Sequence, residues 1–390
     1  MPKGTTQKEK EMEKKKTIVD LHNTISIVDL EKVIKTQMQA ILDNPETSSK
    51  LPPICIHGSP GIGKSKLVET VAKEMGVGFI PVMLSQIEPC DIKGLPVPNR
   101  DEHVMEWYVN GTWPRDSESA GILFLDEITA IDKSIAVAAY ELVLERKLGN
   151  LYRLPKRWLI VSAGNLITDR AVATAMPSAL ANRFMHFQLE ANAEDWVKWA
   201  QFNDIHPSVV GFISYKPEFL FRMEGEVLGR GFPTPRSWER VSRMLDLCKE
   251  CKETVLRKIV YGLVGNRAGV EFMEFHKVNR EFDNVLEIMT NPNREIVVPE
   301  RSDMRYALVS TMNYLLWRGK DDEDEARRLD GFYRISMKLP ADFAAMAMVS
   351  AMAGMSKELS PQCAVKLYHH PMYREWTDKY GKALRRRIVL

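Results

Sequence analysis

Apolar positions along the chain fall into three successive patterns. From Ser26, the residues Val28, Leu30, Val33, Ile34, Met38, Ile41 and Leu42 recur near helical spacing until Asn44-Pro45, which predicts a helix and its end. Short apolar runs then alternate with helix-patterned segments. Ile54-Cys55-Ile56 reads as a buried strand, followed by a glycine-rich turn and a helix from Lys64 to Met75. Phe79 to Leu84, Ile122 to Leu125, Trp158 to Ser162 and Phe184 to Leu189 read as further strands. Strands that alternate with helices predict an α/β fold, three layers built on a mainly parallel sheet. Beyond about Ala193 the strand signals fade. The reading to Tyr261 is helical with breaks at Gly225, Gly229 and Pro233, and the remainder to Leu390 also reads mostly helical.

Charged and small-residue segments refine this outline. Met1 to Lys16 is lysine-rich with almost nothing to bury, so a disordered tail is expected. The acidic block Asp321 to Glu325 is expected to cap or precede a helix, and the Ala- and Met-rich run Phe343 to Met355 to form a buried one. Arg385 to Arg387 are expected at a frayed end.

At 390 residues, with 45% hydrophobic and 27% charged, the chain suits two or three packed units with a real core. Lys+Arg 54 against Asp+Glu 52 leaves +2, so no global basic field points to nucleic acid. Phe343 to Met355 is the longest weakly polar stretch, well short of the ~20 residues that span a bilayer. No apolar signal-peptide core follows the start, and the 5 cysteines form an odd set, so a reduced, cytoplasmic setting is expected. Cys248 and Cys251 make one CxxC without a second pair, which argues against zinc there.

The chemistry concentrates in a few positions. Gly58-Ser59-Pro60-Gly61-Ile62-Gly63-Lys64-Ser65 is a complete GxxxxGK[ST] between a predicted strand and a predicted helix. In that context the glycines let backbone N–H groups turn toward phosphates at a helix N-terminus. Lys64 would reach the β- and γ-phosphates of ATP, and Ser65 would ligate Mg²⁺. Ile122-Leu123-Phe124-Leu125-Asp126-Glu127 is a buried strand that ends in two acids. Asp126 there can hold the Mg²⁺ shell, and Glu127 can orient or deprotonate the attacking water. Asn165 closes another strand, where it either helps hold that water or simply makes a turn. Arg183 precedes the last predicted strand, as a stabiliser of transferring phosphoryl charge or as a surface ion pair.

These motifs together resemble the AAA+ ATPases, and within them the MoxR-like branch. Ser85-Gln86 through Asp91-Ile92-Lys93-Gly94-Leu95-Pro96 resembles the segment ahead of that branch's inserted hairpin. Val104 to Tyr108, the Asn110-Gly111 turn signal and Trp113-Pro114 would form the hairpin and its exit. Gly231-Phe232-Pro233-Thr234-Pro235-Arg236-Ser237-Trp238 looks like a sensor-2 region opening a helix of the lid. The resemblance implies a tail over 1–25, a three-layer P-loop AAA+ domain with parallel sheet over 26–192, its hairpin near 96–114, a helical lid over 193–285 and a helical extension over 286–390. It implies that Asn165 is sensor 1 and Arg236 sensor 2. Arg183 would be the arginine finger offered to a neighbour's ATP, with Arg170 a second arginine at that interface. A ring is then implied, usually a homo-hexamer, with a von Willebrand factor A domain protein as a partner. Trp107 or Tyr108 would contact a remodelled client, or would pack the hairpin onto the ring body. A protein-remodelling ATPase, a nucleic-acid motor or loader, and a nucleotide-gated scaffold with little turnover are the three functional readings, and the first accounts for the most residues.

Overall fold

The computed structural model describes residues 23–149, 152–166, 176–223, 231–282, 284–294, 296–356 and 358–389. The expected N-terminal tail, Arg170 and the breaks at Gly225 and Gly229 lie outside them. The chain divides into two compact units, one ending at Glu190 and the other beginning at Ala191.

The first unit is built on a 6-stranded sheet of β1 (Thr24–Ile25), β2 (Ile54–His57), β3 (Gly78–Met83), β6 (Gly121–Asp126), β9 (Trp158–Gly164) and β10 (Met185–Leu189). The order is β1-β10-β2-β9-β6-β3, and every pairing is parallel. Five of these strands are those predicted from apolar runs; β1, with 2 residues, is too short to show a period.

Along β6, Ile122 to Leu125 are all buried, and strand alternation sends them to both faces, so helices must cover both. On one face Leu123, Leu125, Cys55 and Ile160 share a core with Ile135, Ala138, Ala139 and Leu142 of α4 (Lys133–Glu145). Against the sheet also pack α1 (Ile27–Asp43), which buries Leu30, Ile34, Met38 and Ile41, and α2 (Lys64–Glu74), which buries Val68 and Val71. The cap of α1 is Ser26, whose Oγ accepts from the Asp29 N–H at 3.0 Å.

After the short helix α3 (Pro89–Lys93), the strands β4 (Leu95–Asn99) and β5 (Val104–Tyr108) form an antiparallel hairpin with Leu95 opposite Tyr108. Its turn is not Asn110-Gly111, as the sequence suggests. Asn99 starts the turn by accepting from the Asp101 and Glu102 N–H groups at 3.1 and 3.2 Å. Asn110 makes an equivalent side-chain turn to Thr112 at 3.0 Å on the way out. Two asparagines with the same local chemistry compete for the assignment, and only cross-strand pairing separates them. The pair β7 (Lys147–Leu148) and β8 (Tyr152–Arg153) forms a further small ribbon.

The second unit is helical. It comprises α6 (Ala193–Phe202), α7 (Pro207–Tyr215), α8 (Pro235–Leu247), α9 (Glu253–Arg280), α10 (Val285–Thr290), α11 (Ser302–Leu316), α12 (Asp322–Ser336), α13 (Ala341–Ala353), α14 (Ser360–His369) and α15 (Tyr373–Val389); α5 (Ser178–Ala181) belongs to the first unit. One apolar core runs through it from Trp196 to Leu384, with Trp238, Phe212 and Phe272 fully enclosed. Asp321 caps α12 through the Asp324 N–H at 2.8 Å, and the rest of the acidic block forms its first turn, where negative charge suits the helix dipole. Helix α13 buries Ala344, Ala345, Ala347, Met348 and Ala351, as its composition predicts. Arg385 to Arg387 do not fray. They lie within α15, which Trp376, Tyr380 and Leu384 anchor to the core at four-residue spacing. No helix of the described residues is long and apolar enough to cross a membrane.

Candidate nucleotide site

In the sheet β2, β9 and β6 are neighbours, and being parallel they end at one edge. That edge therefore receives the glycine-rich loop after His57, Asn165 just past β9 and Asp126 at the end of β6. Two of the loop's glycines are required by geometry. Gly63 has φ 104 where it opens α2, a conformation side chains avoid. A Cβ on Gly58 would lie 2.5 Å from the Ile62 side chain and 2.8 Å from the Leu189 carbonyl oxygen.

Lys64 is only 8% exposed. A buried ammonium must be met by acceptors, and its Nζ donates to the Gly58 carbonyl at 2.5 Å, the Ser59 carbonyl at 3.1 Å and Asn165 Oδ1 at 3.1 Å. A three-donor cation that three oxygens satisfy is also suited to phosphate oxygens. Ser65 Oγ donates to Asp126 Oδ2 at 2.7 Å, so two hard oxygen ligands of the kind Mg²⁺ takes already adjoin. Gly61, with φ 81, Ser59, Pro60 and Ile62 complete the loop.

Asp126 Oδ1 accepts from the Glu127 N–H at 2.9 Å. Glu127 itself sits at φ 59, a left-handed conformation that turns the chain sharply off β6. The Ile128 N–H then returns to the Ala163 carbonyl at 2.9 Å. Ser85, just beyond β3, donates its hydroxyl to Glu127 Oε2. Thr129 Oγ1 accepts from the Asn165 N–H at 3.1 Å. These two hydroxyls hold the acid and the amide in place. Thr129 belongs to no motif, and Ser85 opens the segment ahead of the hairpin, where nothing marks its link to Glu127; a polar residue just past each strand end was the available signal.

Arg183 stands apart. It is exposed and precedes β10, where Met185 pairs with Ile54, the first residue of β2. It therefore lies at the opening edge of the strands, whereas the phosphate loop follows their closing edge. The 4 residues of β2 separate the two edges by about 13 Å. There Arg183 lines a cavity of about 220 Å³ with Arg146, Pro53, Val143 and Leu159, and among the described residues it makes no ion pair. Arg236 occupies the first turn of α8, exposed between buried Pro235 and Ser237 and within the capping box that Thr234 and Ser237 form. A cation there opposes the helix dipole, so α8 does not gain stability from it. Trp107 and Tyr108 are 45% and 63% exposed.

A parallel sheet of this order, with a phosphate loop beside an acidic strand end, defines a P-loop nucleotide-binding fold. Residues 53–184 match the family model of the AAA domain of the dynein-related subfamily. Over that stretch, which takes in the phosphate loop, the acidic strand end and Asn165, the chain is similar to dynein-related AAA domains. It is similar to midasin of Giardia intestinalis, 25% identical over an alignment of 171 residues, with coverage of 41% of this chain and 4% of that much longer protein. Among solved structures, a RuvB variant of Thermotoga maritima is 14% identical, with coverage of 67% of this chain and 79% of that one and a TM-score of 0.35. NtrX of Brucella abortus is 16% identical, with coverage of 77% and 72% and a TM-score of 0.36.

Proposed function

We propose that this chain is a ring-forming, MoxR-like ATPase that couples Mg-ATP hydrolysis to the remodelling of a protein partner. Gly58 to Ser65 hold the nucleotide, with Lys64 on the phosphates; Ser65 and Asp126 hold Mg²⁺, which when bound neutralises charge between the phosphates. Glu127 takes the proton of the attacking water, and Asn165 orients that water. Arg236 reports nucleotide state to the helical unit.

The observation that carries the reading is the placement of Arg183 at the opposite sheet edge from Lys64, exposed and without an ion pair among the described residues. A residue so placed serves a neighbour's nucleotide better than its own, which requires at least a dimer and, by resemblance, a homo-hexamer. The exposed hairpin, with Leu95, Met105, Trp107 and Tyr108 in water, offers apolar surface for a client, and a von Willebrand factor A domain protein is the implied partner. ATP turnover per subunit, measured against protein concentration with Mg²⁺, tests the assembly. A steep rise is expected; a flat, substantial rate would contradict it.

A further inference from the structure

Beneath the phosphate loop lies a group of side chains that ATP chemistry does not use. Cys55 and His57 stand on β2, and β10 brings in His186 opposite Cys55. Cys55 Sγ lies 3.4 Å from His57 Nε2, and that same nitrogen lies 2.8 Å from His186 Nδ1. The three ligand atoms all fall within 4.8 Å of one another, the one such group of His, Cys and acidic residues among the described residues.

The protons on this group can be assigned from its partners. His186 Nε2 lies 2.7 Å from the Ala181 carbonyl oxygen, which only accepts, so Nε2 carries the proton and Nδ1 presents a lone pair into the cluster. A ring fixed by a backbone carbonyl in this way is the usual support of a metal-binding histidine. His57 turns its lone pair inward by moving its proton from Nε2 to Nδ1, and the Cys55 thiol gives up its proton as the cation binds.

We propose that Cys55 Sγ, His57 Nε2 and His186 Nδ1 form a three-ligand site for a thiophilic divalent cation of the Zn²⁺ class, with a fourth position left to water. Tetrahedral zinc, at about 2.0–2.1 Å from nitrogen and 2.3 Å from sulfur, sets its ligands roughly 3.4–3.6 Å apart. The Cys55–His57 separation already meets this, the two imidazoles need to part by about half an ångström, and Cys55 Sγ and His186 Nδ1 lie within 4.8 Å of each other. One proton leaves, that of the Cys55 thiol, and the His57 proton moves to Nδ1. The ion clips β2, which runs into the phosphate loop, to β10, which follows Arg183. It thereby fixes the spacing between a subunit's own loop and the arginine at its other edge. The assignment of the site itself stands whether or not the chain assembles into rings.

The test uses the reduced full-length chain and Co²⁺ and Zn²⁺ salts. One equivalent of Co²⁺ is expected to give a thiolate-to-metal charge-transfer band with tetrahedral d–d bands. Cys55→Ser should abolish the charge-transfer band. Both Cys55→Ser and His186→Gln should weaken Zn²⁺ binding by at least ~100-fold, the upper end of what loss of a mere supporting group costs. Cys248→Ser/Cys251→Ser, which removes the CxxC, should leave both signals unchanged. X-ray absorption on the Zn²⁺-loaded unmodified chain needs no variant, and a shell of one sulfur, two imidazoles and one water oxygen is expected. A two-sulfur shell, a band that follows Cys248 and Cys251, or no stoichiometric binding would overturn the proposal.

Discussion

The two edges of one parallel sheet carry basic residues of opposite kinds. At the closing edge Lys64 is buried, with three oxygens on its ammonium. At the opening edge Arg183 is exposed. A cation that is satisfied within its own chain is preorganised for a ligand that replaces its acceptors one for one. A cation left in water beside a shallow cavity is available to something that arrives from outside. Under the proposed function, the nucleotide binds within one chain and a second copy completes the site for turnover.

Substitutions at the two edges should separate these roles. The largest effect is expected from Arg183→Ala, a loss of about 10³-fold in kcat with nucleotide affinity unchanged, since an arginine finger acts on transition-state charge. Steady-state turnover and fluorescent-nucleotide titration together check it. Glu127→Gln should bind ATP like the wild type while turnover falls by at least about 10²-fold, the lower range for losing a general base. Single-turnover quench-flow reads that directly, and near wild-type rates would remove Glu127 as the base. Lys64→Ala should weaken ATP binding by about 100-fold, the worth of a charge-assisted contact in a buried site. The smallest effect is expected from Ser85→Ala, which frees the Glu127 carboxylate: about a fivefold fall in kcat with KM unchanged, since the pair is exposed. A change in KM with constant kcat would instead place Ser85 on substrate binding.

Much of the closing edge was legible in the sequence because its residues come in two contiguous motifs, and strand alternation told where those motifs would end. The contacts of Ser85 and Thr129 were not legible, since each is a hydroxyl whose partner lies 42 or 36 residues away. The Cys55, His57 and His186 group hid for the same reason: 129 residues separate the two histidines, and the β2–β10 register alone unites them. Local chemistry also misled where it was duplicated, as with Asn99 and Asn110, and where a terminal arginine run concealed the apolar spacing of Trp376, Tyr380 and Leu384.

The central claim, that each active site is divided between two subunits, is tested most directly by mixing two inactive variants. Arg183→Ala retains its own loop and acid, and Glu127→Gln retains its arginine. In a mixed assembly some interfaces pair an intact Lys64–Glu127 edge with an intact Arg183, and turnover should reappear with a maximum at intermediate ratios. Activity that stays at the level of the two variants alone, at every ratio and at concentrations where mixed assemblies form, would contradict the account.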